Sequence, residues 1–91
     1  MDSDTQDAKL KERIASMGWE NLSLLEIVDL IYKKGWFIQI KDHNGQFMAD
    51  VIPVKRTTYT RISKLYSTYE QALKKGIKLG IQAILDYEKN I

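Results

Sequence analysis

The chain has 91 residues and a net charge of +2, with 44% hydrophobic and 29% charged side chains and no cysteine. That length holds one domain with its own core, and the balance is that of a globular protein. The absence of cysteine excludes disulfides, thiolate nucleophiles and Cys-ligated metals, and it fits a reducing compartment. The opening MDSDTQDAKLKER has no apolar stretch of signal-peptide type. The longest apolar run, Leu22 to Tyr32, is interrupted by Ser23, Glu26 and Asp29 and is too short to span a bilayer. A soluble cytoplasmic protein is the expectation, with no membrane, metal or cofactor.

The charge is unevenly placed. Residues 1–32 hold three Lys/Arg against seven Asp/Glu, a net of −4, and residues 33–91 hold eleven against five, a net of +6. A basic C-terminal part favours an anionic partner, although a solvated surface has the same composition.

In chain order, residues 1–20 read as an N-terminal tail that allows a short helix from Thr5. Leu10, Ile14 and Met17 would share a face, and Gly18 would stop it. Met1 to Asp4 are expected to be disordered. Trp19 reads as a packing anchor. Residues 21–91 read as one domain of order α-β-β-β-α. Ser23 and Glu26 make a capping box, and Leu22 and Ile27 are spaced for a hydrophobic staple. That helix is expected to run to Lys34, with Leu24, Ile27, Val28 and Ile31 inward and Gly35 after it.

Asn44-Gly45 is the strongest signal for a two-residue hairpin turn. Pairing outward sets His43 opposite Gln46 and ends with Phe37 opposite Ile52. One face then holds Trp36, Ile38, Ile40, Phe47, Ala49 and Val51 and reads as a core face. The other holds Phe37, Gln39, Lys41, His43, Gln46, Met48, Asp50 and Ile52. Pro53 closes the ladder. Val54 to Thr58 form a basic loop, and Thr58 to Leu65 suggest a third strand. Its inward face is open: Tyr59, Arg61, Ser63 and Leu65, or Thr60, Ile62 and Lys64, or Ile62 with Leu65 if a bulge sits near Ser63.

Ser67 to Ile91 reads as one long amphipathic helix, capped by a box of Ser67 and Glu70. Tyr69, Leu73, Gly76, Ile77, Gly80, Ile84 and Tyr87 make its inward stripe, and Gln71, Lys75, Lys78, Gln82, Asp86 and Lys89 the opposite face. Gly76 and Gly80 on the inward side predict a close approach to the sheet or to the preceding helix. The fold class is therefore α+β, a two-layer domain with a three-stranded antiparallel sheet packed by helices, in the order (α)-α-β-β-β-α.

The sequence points away from catalysis. It holds one histidine, His43, beside the hairpin turn, and no nucleophile elbow, phosphate loop or metal-ligand spacing. A small non-enzymatic binding module is the expectation. Lys41, Lys55, Arg56, Arg61 and Lys64, interleaved with aromatics on sheet and loop, would contact nucleic acid. The alternative is a protein-interaction or homodimerisation surface on the outer sheet face, made by Phe37, Met48 and Ile52, unless the N-terminal helix folds over it.

Two stretches, LLEIVDLIYKKGWFIQI and YSTYEQALKKGIKLGI, make the chain from about Leu24 onward similar to a class of short uncharacterised proteins of Bacteroidetes and of their phages and mobile elements. The resemblance implies a mobile-element origin and brings no activity. The element order also resembles the double-stranded-RNA-binding domain, with DHNGQF at the position of that family's recognition loop. That family opens its last helix with a lysine cluster, where this chain has Tyr69 and Glu70. Lys74, Lys75 and Lys78 come one to two turns later. The topology carries over, and the RNA-binding residues do not.

Overall fold

The computed structural model describes the backbone of residues 2–55 and 61–89, and the side chains of residues 8–55 and 61–87. Three helices and three strands follow in the order α1 (Asp2–Ser16), α2 (Leu24–Lys33), β1 (Trp36–His43), β2 (Gln46–Pro53), β3 (Arg61–Ile62) and α3 (Tyr69–Lys89). The strands form one antiparallel sheet of order β1-β2-β3. This is the expected α+β architecture. α3 lies across β1 and β2, α2 packs beside it and against β1, and α1 packs on α3.

The hairpin has the expected register in all seven expected pairs, from His43 opposite Gln46 to Phe37 opposite Ile52, and continues by one more, Trp36 opposite Pro53. Asn44 and Gly45 adopt φ of 55° and 85°, the left-handed pair that a type I′ turn needs. The Asp42 carboxylate accepts from the Gly45 N–H at 3.0 Å and closes the turn. Trp36, Ile38, Ala49 and Val51 are buried beneath the helices. α2 begins with both hydrogen bonds of the Ser23–Glu26 box, and Lys34 is its C-cap.

Ile27, Ile31, Ile77, Ile81 and Val51 are the largest fully buried side chains. Two glycines of α3 let the helix sink onto this layer. A Cβ at Gly76 would lie 2.7 Å from Ile38 Cγ2 and 3.1 Å from Ala49 Cβ. One at Gly80 would lie 3.0 Å from Ile31 Cγ2. The expected inward stripe is corrected at its ends, where Tyr69 and Tyr87 are exposed, while Ala72, Ile81 and Ala83 join the buried face.

α1 begins at Asp2, in place of the disorder expected there; of the expected Met1 to Asp4 stretch, Met1 lies outside the described residues. Its Leu10 is buried in the same core cluster as Ile77, Ile81 and Ile84, with Ile14, Met17 and Trp19 packed against it. α1 thus covers part of the α3 face that the sequence left to solvent, and Lys75, Lys78, Gln82 and Asp86 are only half-exposed.

The cap of α3 is also corrected. Thr68, not Ser67, is the N-cap: its hydroxyl accepts from the Gln71 N–H at 3.1 Å, and its own N–H donates to Gln71 Oε1 at 3.2 Å. The box is Thr68–Gln71, one residue later than expected. Glu70 instead lies 3.7 Å from Lys74 as an i,i+4 pair. Thr68→Ala is therefore expected to lower the unfolding free energy by about 1 kcal/mol, and Ser67→Ala by well under half of that. Urea melts of the two variants check this, and equal losses would contradict the assigned cap.

β3 is shorter than expected. Of the proposed strand Thr58–Leu65, residues 58–60 lie outside the described residues, and among the described ones the ladder holds Arg61 opposite Val51 and Ile62 opposite Asp50 and stops before Ser63. Pairing resumes at Tyr66 opposite Phe47, a register shifted by one residue. One extra residue is therefore inserted between Ile62 and Tyr66, which is a bulge. Buried Ser63 organises it: Ala49 N–H donates to Ser63 Oγ at 2.8 Å, and Ser63 Oγ donates to Lys64 O at 2.7 Å. The bulge does not turn Ile62 and Leu65 inward, since both are exposed. Arg61 and Ser63 take the inner side.

Candidate functional site

Alternation along the strands decides where the basic residues go. Lys41 lies on the outer face of the sheet, and its Nζ is 2.8 Å from Asp50 Oδ2. Arg61, opposite the buried Val51, lies on the helix side, and its Nη2 donates to Asp86 Oδ2 at 2.6 Å. These two cations are therefore on opposite faces, each beside a carboxylate. Lys64 is exposed after β3, with its Nζ 5.5 Å from the centre of the Tyr66 ring. Lys55 is exposed just beyond β2, and Arg56 lies outside the described residues. Of the four described members, Lys41 and Arg61 lie on opposite faces, so these four do not form one surface.

The apolar group is gathered. Phe37 and Ile52 are directly opposite in the β1–β2 ladder, Met48 lies four pairs along beside Lys41 with the Gln39–Asp50 pair between, and all share the outer face. Ile62, opposite Asp50 and therefore on the same face, is 60% exposed, and Phe37 is 44% exposed. Tyr32, at the end of α2, meets Phe37 edge-to-face at 6.2 Å. No described helix packs on this side, because α1 packs on α3 and all three helices lie on the other side. Ile62 is the member of the patch that sequence reading missed. Its face depended on a strand register that propensity alone leaves open.

Asp50 lies among these groups. Its residue is 4% exposed, and its Oδ1 is buried with no hydrogen-bond partner. A buried carboxylate oxygen without a donor is costly, by about 1–3 kcal/mol or more.

β1 and β3 are the two edges of the sheet, and β1 is the longer of them. In a two-residue hairpin the pair flanking the turn is hydrogen-bonded and the pairs then alternate. The main-chain groups of Phe47 and Ala49 accordingly turn away from β1 and bond Tyr66 and Ser63. By the same alternation, those of Ile38, Ile40 and Asp42 point away from β2 towards the edge.

Among the described residues, no group of three or more His, Cys, Asp or Glu side chains is placed to hold a metal ion. His43 is exposed beside the turn. No helix among the described residues is long and apolar enough to cross a membrane. No protein-family model matches the chain, and no curated protein or solved structure matches it significantly.

Proposed function

We propose that this protein is a non-enzymatic binding module whose working surface is the outer face of its sheet, and that the partner is a protein. The observation that supports this is the pattern on that face. Phe37, Met48, Ile52 and Ile62 surround a buried carboxylate with one oxygen lacking a donor. An apolar cluster with a desolvated polar centre is the anatomy of an interface core. Full burial of an exposed side chain of this size yields about 1.5–3 kcal/mol, and Ile62 and Phe37, 60% and 44% exposed, would gain about half of that each.

A second copy is the occupant that the face itself fits. Lys41 and Asp50 give the patch both signs of charge, and the apolar groups give it a surface that can meet its own image about a two-fold axis. The β1 edge lies alongside and offers main-chain pairing in the same contact. The basic residues on sheet and loop support the nucleic-acid expectation less well, because Lys41 and Arg61 are on opposite faces and beside acids.

Sedimentation velocity over a wide range of concentration tests the reading. A monomer–dimer equilibrium is expected, and Phe37→Lys with Ile62→Lys is expected to abolish it while leaving the circular dichroism spectrum unchanged. A protein that stays monomeric throughout, or a dimer indifferent to both substitutions, would overturn it.

A further inference from the structure

α1 and α3 carry a second surface of a different kind. Arg13 of α1 donates a guanidinium N–H to Gln82 Oε1 of α3. The Gln82 amide donates in turn to Asp86 Oδ1 at 2.8 Å, and Asp86 Oδ2 accepts from Arg61. This chain of contacts ties α1, α3 and β3 together and engages the Asp86 carboxylate internally. Lys78 stands one helical turn before Gln82, Lys75 three residues before Lys78, and Lys9 one turn before Arg13. Four cations thus converge on one seam.

No described carboxylate pairs with Lys9, Lys75 or Lys78: the ion pairs of the described residues are Lys33–Asp29, Lys41–Asp50, Arg61–Asp86 and Lys74–Glu70. Lys75, Lys78 and Arg13 are half-buried. Burial, and then repulsion from Lys75, Arg13 and Lys9, push the Lys78 ammonium below its ordinary pKa. Like charges held together without a counter-charge destabilise the free protein, and a bound anion removes that penalty.

We infer that the α1–α3 seam binds the phosphate backbone of a nucleic acid, with Lys9, Arg13, Lys75 and Lys78 as the contacting residues. Several cations set along two adjacent helices suit a polyanion with repeating charges. A membrane surface suits the seam less well. The exposed large apolar residues of α3 are Tyr69 and Tyr87 at its two ends, and the described part of α1 has none, so nothing at the seam would insert among lipids. The seam also lies on the helix side, away from the outer sheet face, so this proposal does not depend on the protein-docking one. If both hold, a dimer presents two seams and gains avidity for a long polyanion.

The test is fluorescence anisotropy of labelled duplex DNA, duplex RNA and single strands with the full chain over a salt series. Vesicles containing phosphatidylserine serve as a second anionic probe. Binding to at least one nucleic acid is expected, weakening with salt by about 0.9 in the logarithmic slope per phosphate contacted on DNA and about 0.7 on single strands. The double variant Lys75→Gln with Lys78→Gln is expected to lose about two contacts from that slope and roughly tenfold or more in affinity at low salt. Its melting temperature should not fall, since the repulsion is relieved, so lost binding would not reflect lost folding. A control with Lys55→Gln and Lys64→Gln, two exposed lysines away from the seam, should bind like the parent protein. No binding at low salt, loss in the control but not in the seam variant, or vesicle binding without nucleic-acid binding would each overturn the proposal.

Discussion

Gly76→Ala is expected to destabilise the protein although alanine is the better helix former. The propensity gain is about 0.8–1 kcal/mol. Against it, the new Cβ would lie 2.7 Å from Ile38 Cγ2 and 3.1 Å from Ala49 Cβ. Neither atom is the loose end of a flexible chain: one is the branch methyl of a β-branched residue, and the other is fixed to the backbone of β2. Overpacking of this kind costs about 1–3 kcal/mol, and a 2.7 Å contact belongs in the upper half of that range, so a net loss of about 1–2 kcal/mol is expected for alanine and about 3 kcal/mol or more for Gly76→Val. Gly80→Ala is the matched control, because its contacts are to Ile31 at 3.0 and 3.3 Å and to the Ile38 Cδ1 tip at 3.6 Å. A result within about 1 kcal/mol of neutral is expected there, where propensity and crowding nearly cancel. Thermal and urea unfolding of the three variants check the order. A stabilising Gly76→Ala would mean that α3 sits farther from the sheet than this packing requires.

The close approach of α3 was legible because glycine weakens a helix, so two of them on its apolar side imply a neighbour too near for a Cβ. The hairpin was legible for a similar reason: Asn44 and Gly45 accept positive φ, and a two-residue loop leaves one register for both strands. Elsewhere local patterns were degenerate. The stretch Ser67-Thr68-Tyr69-Glu70-Gln71 contains two overlapping capping boxes, and the Tyr66–Phe47 bridge, a contact distant in sequence, holds the chain extended up to the later one. The bulge in β3 rests on the Ser63 hydroxyl replacing a main-chain partner, which alternation and propensity do not encode. Once that register was open, the faces of Arg61 and Ile62 were open too, and with them the site. The basic residues were counted along the chain, but their acidic partners Asp50 and Asp86 come from other elements. Lys75 and Lys78 are legible as basic residues on the polar face of the last helix, but only the docking of α1 brings Lys9 and Arg13 to them.

The outer-face ion pair should respond asymmetrically to mutation. The Asp50 side chain is 6% exposed and that of Lys41 is 48% exposed, so water shields one partner and not the other. Lys41→Met leaves a buried carboxylate without its counter-charge. Such losses reach about 3–5 kcal/mol in fully buried pairs, and with one partner half in solvent about 1–3 kcal/mol is expected. Asp50→Val removes the desolvated group itself, together with its orphan oxygen, and puts a β-branched residue into a central strand. That change is expected to be neutral or stabilising by about 1–2 kcal/mol, and the double variant should stay close to it rather than add the two single effects. Urea denaturation of the four proteins closes the cycle. A loss above about 2 kcal/mol for Asp50→Val would mean that the carboxylate supports the fold and is not held in reserve. The same variant separates stability from association. If Asp50 Oδ1 awaits a donor from a second copy, Asp50→Val will fold at least as well as the parent and dimerise more weakly. A dimer unaffected by that substitution would leave the apolar residues as the whole of the interface and remove Asp50 from it.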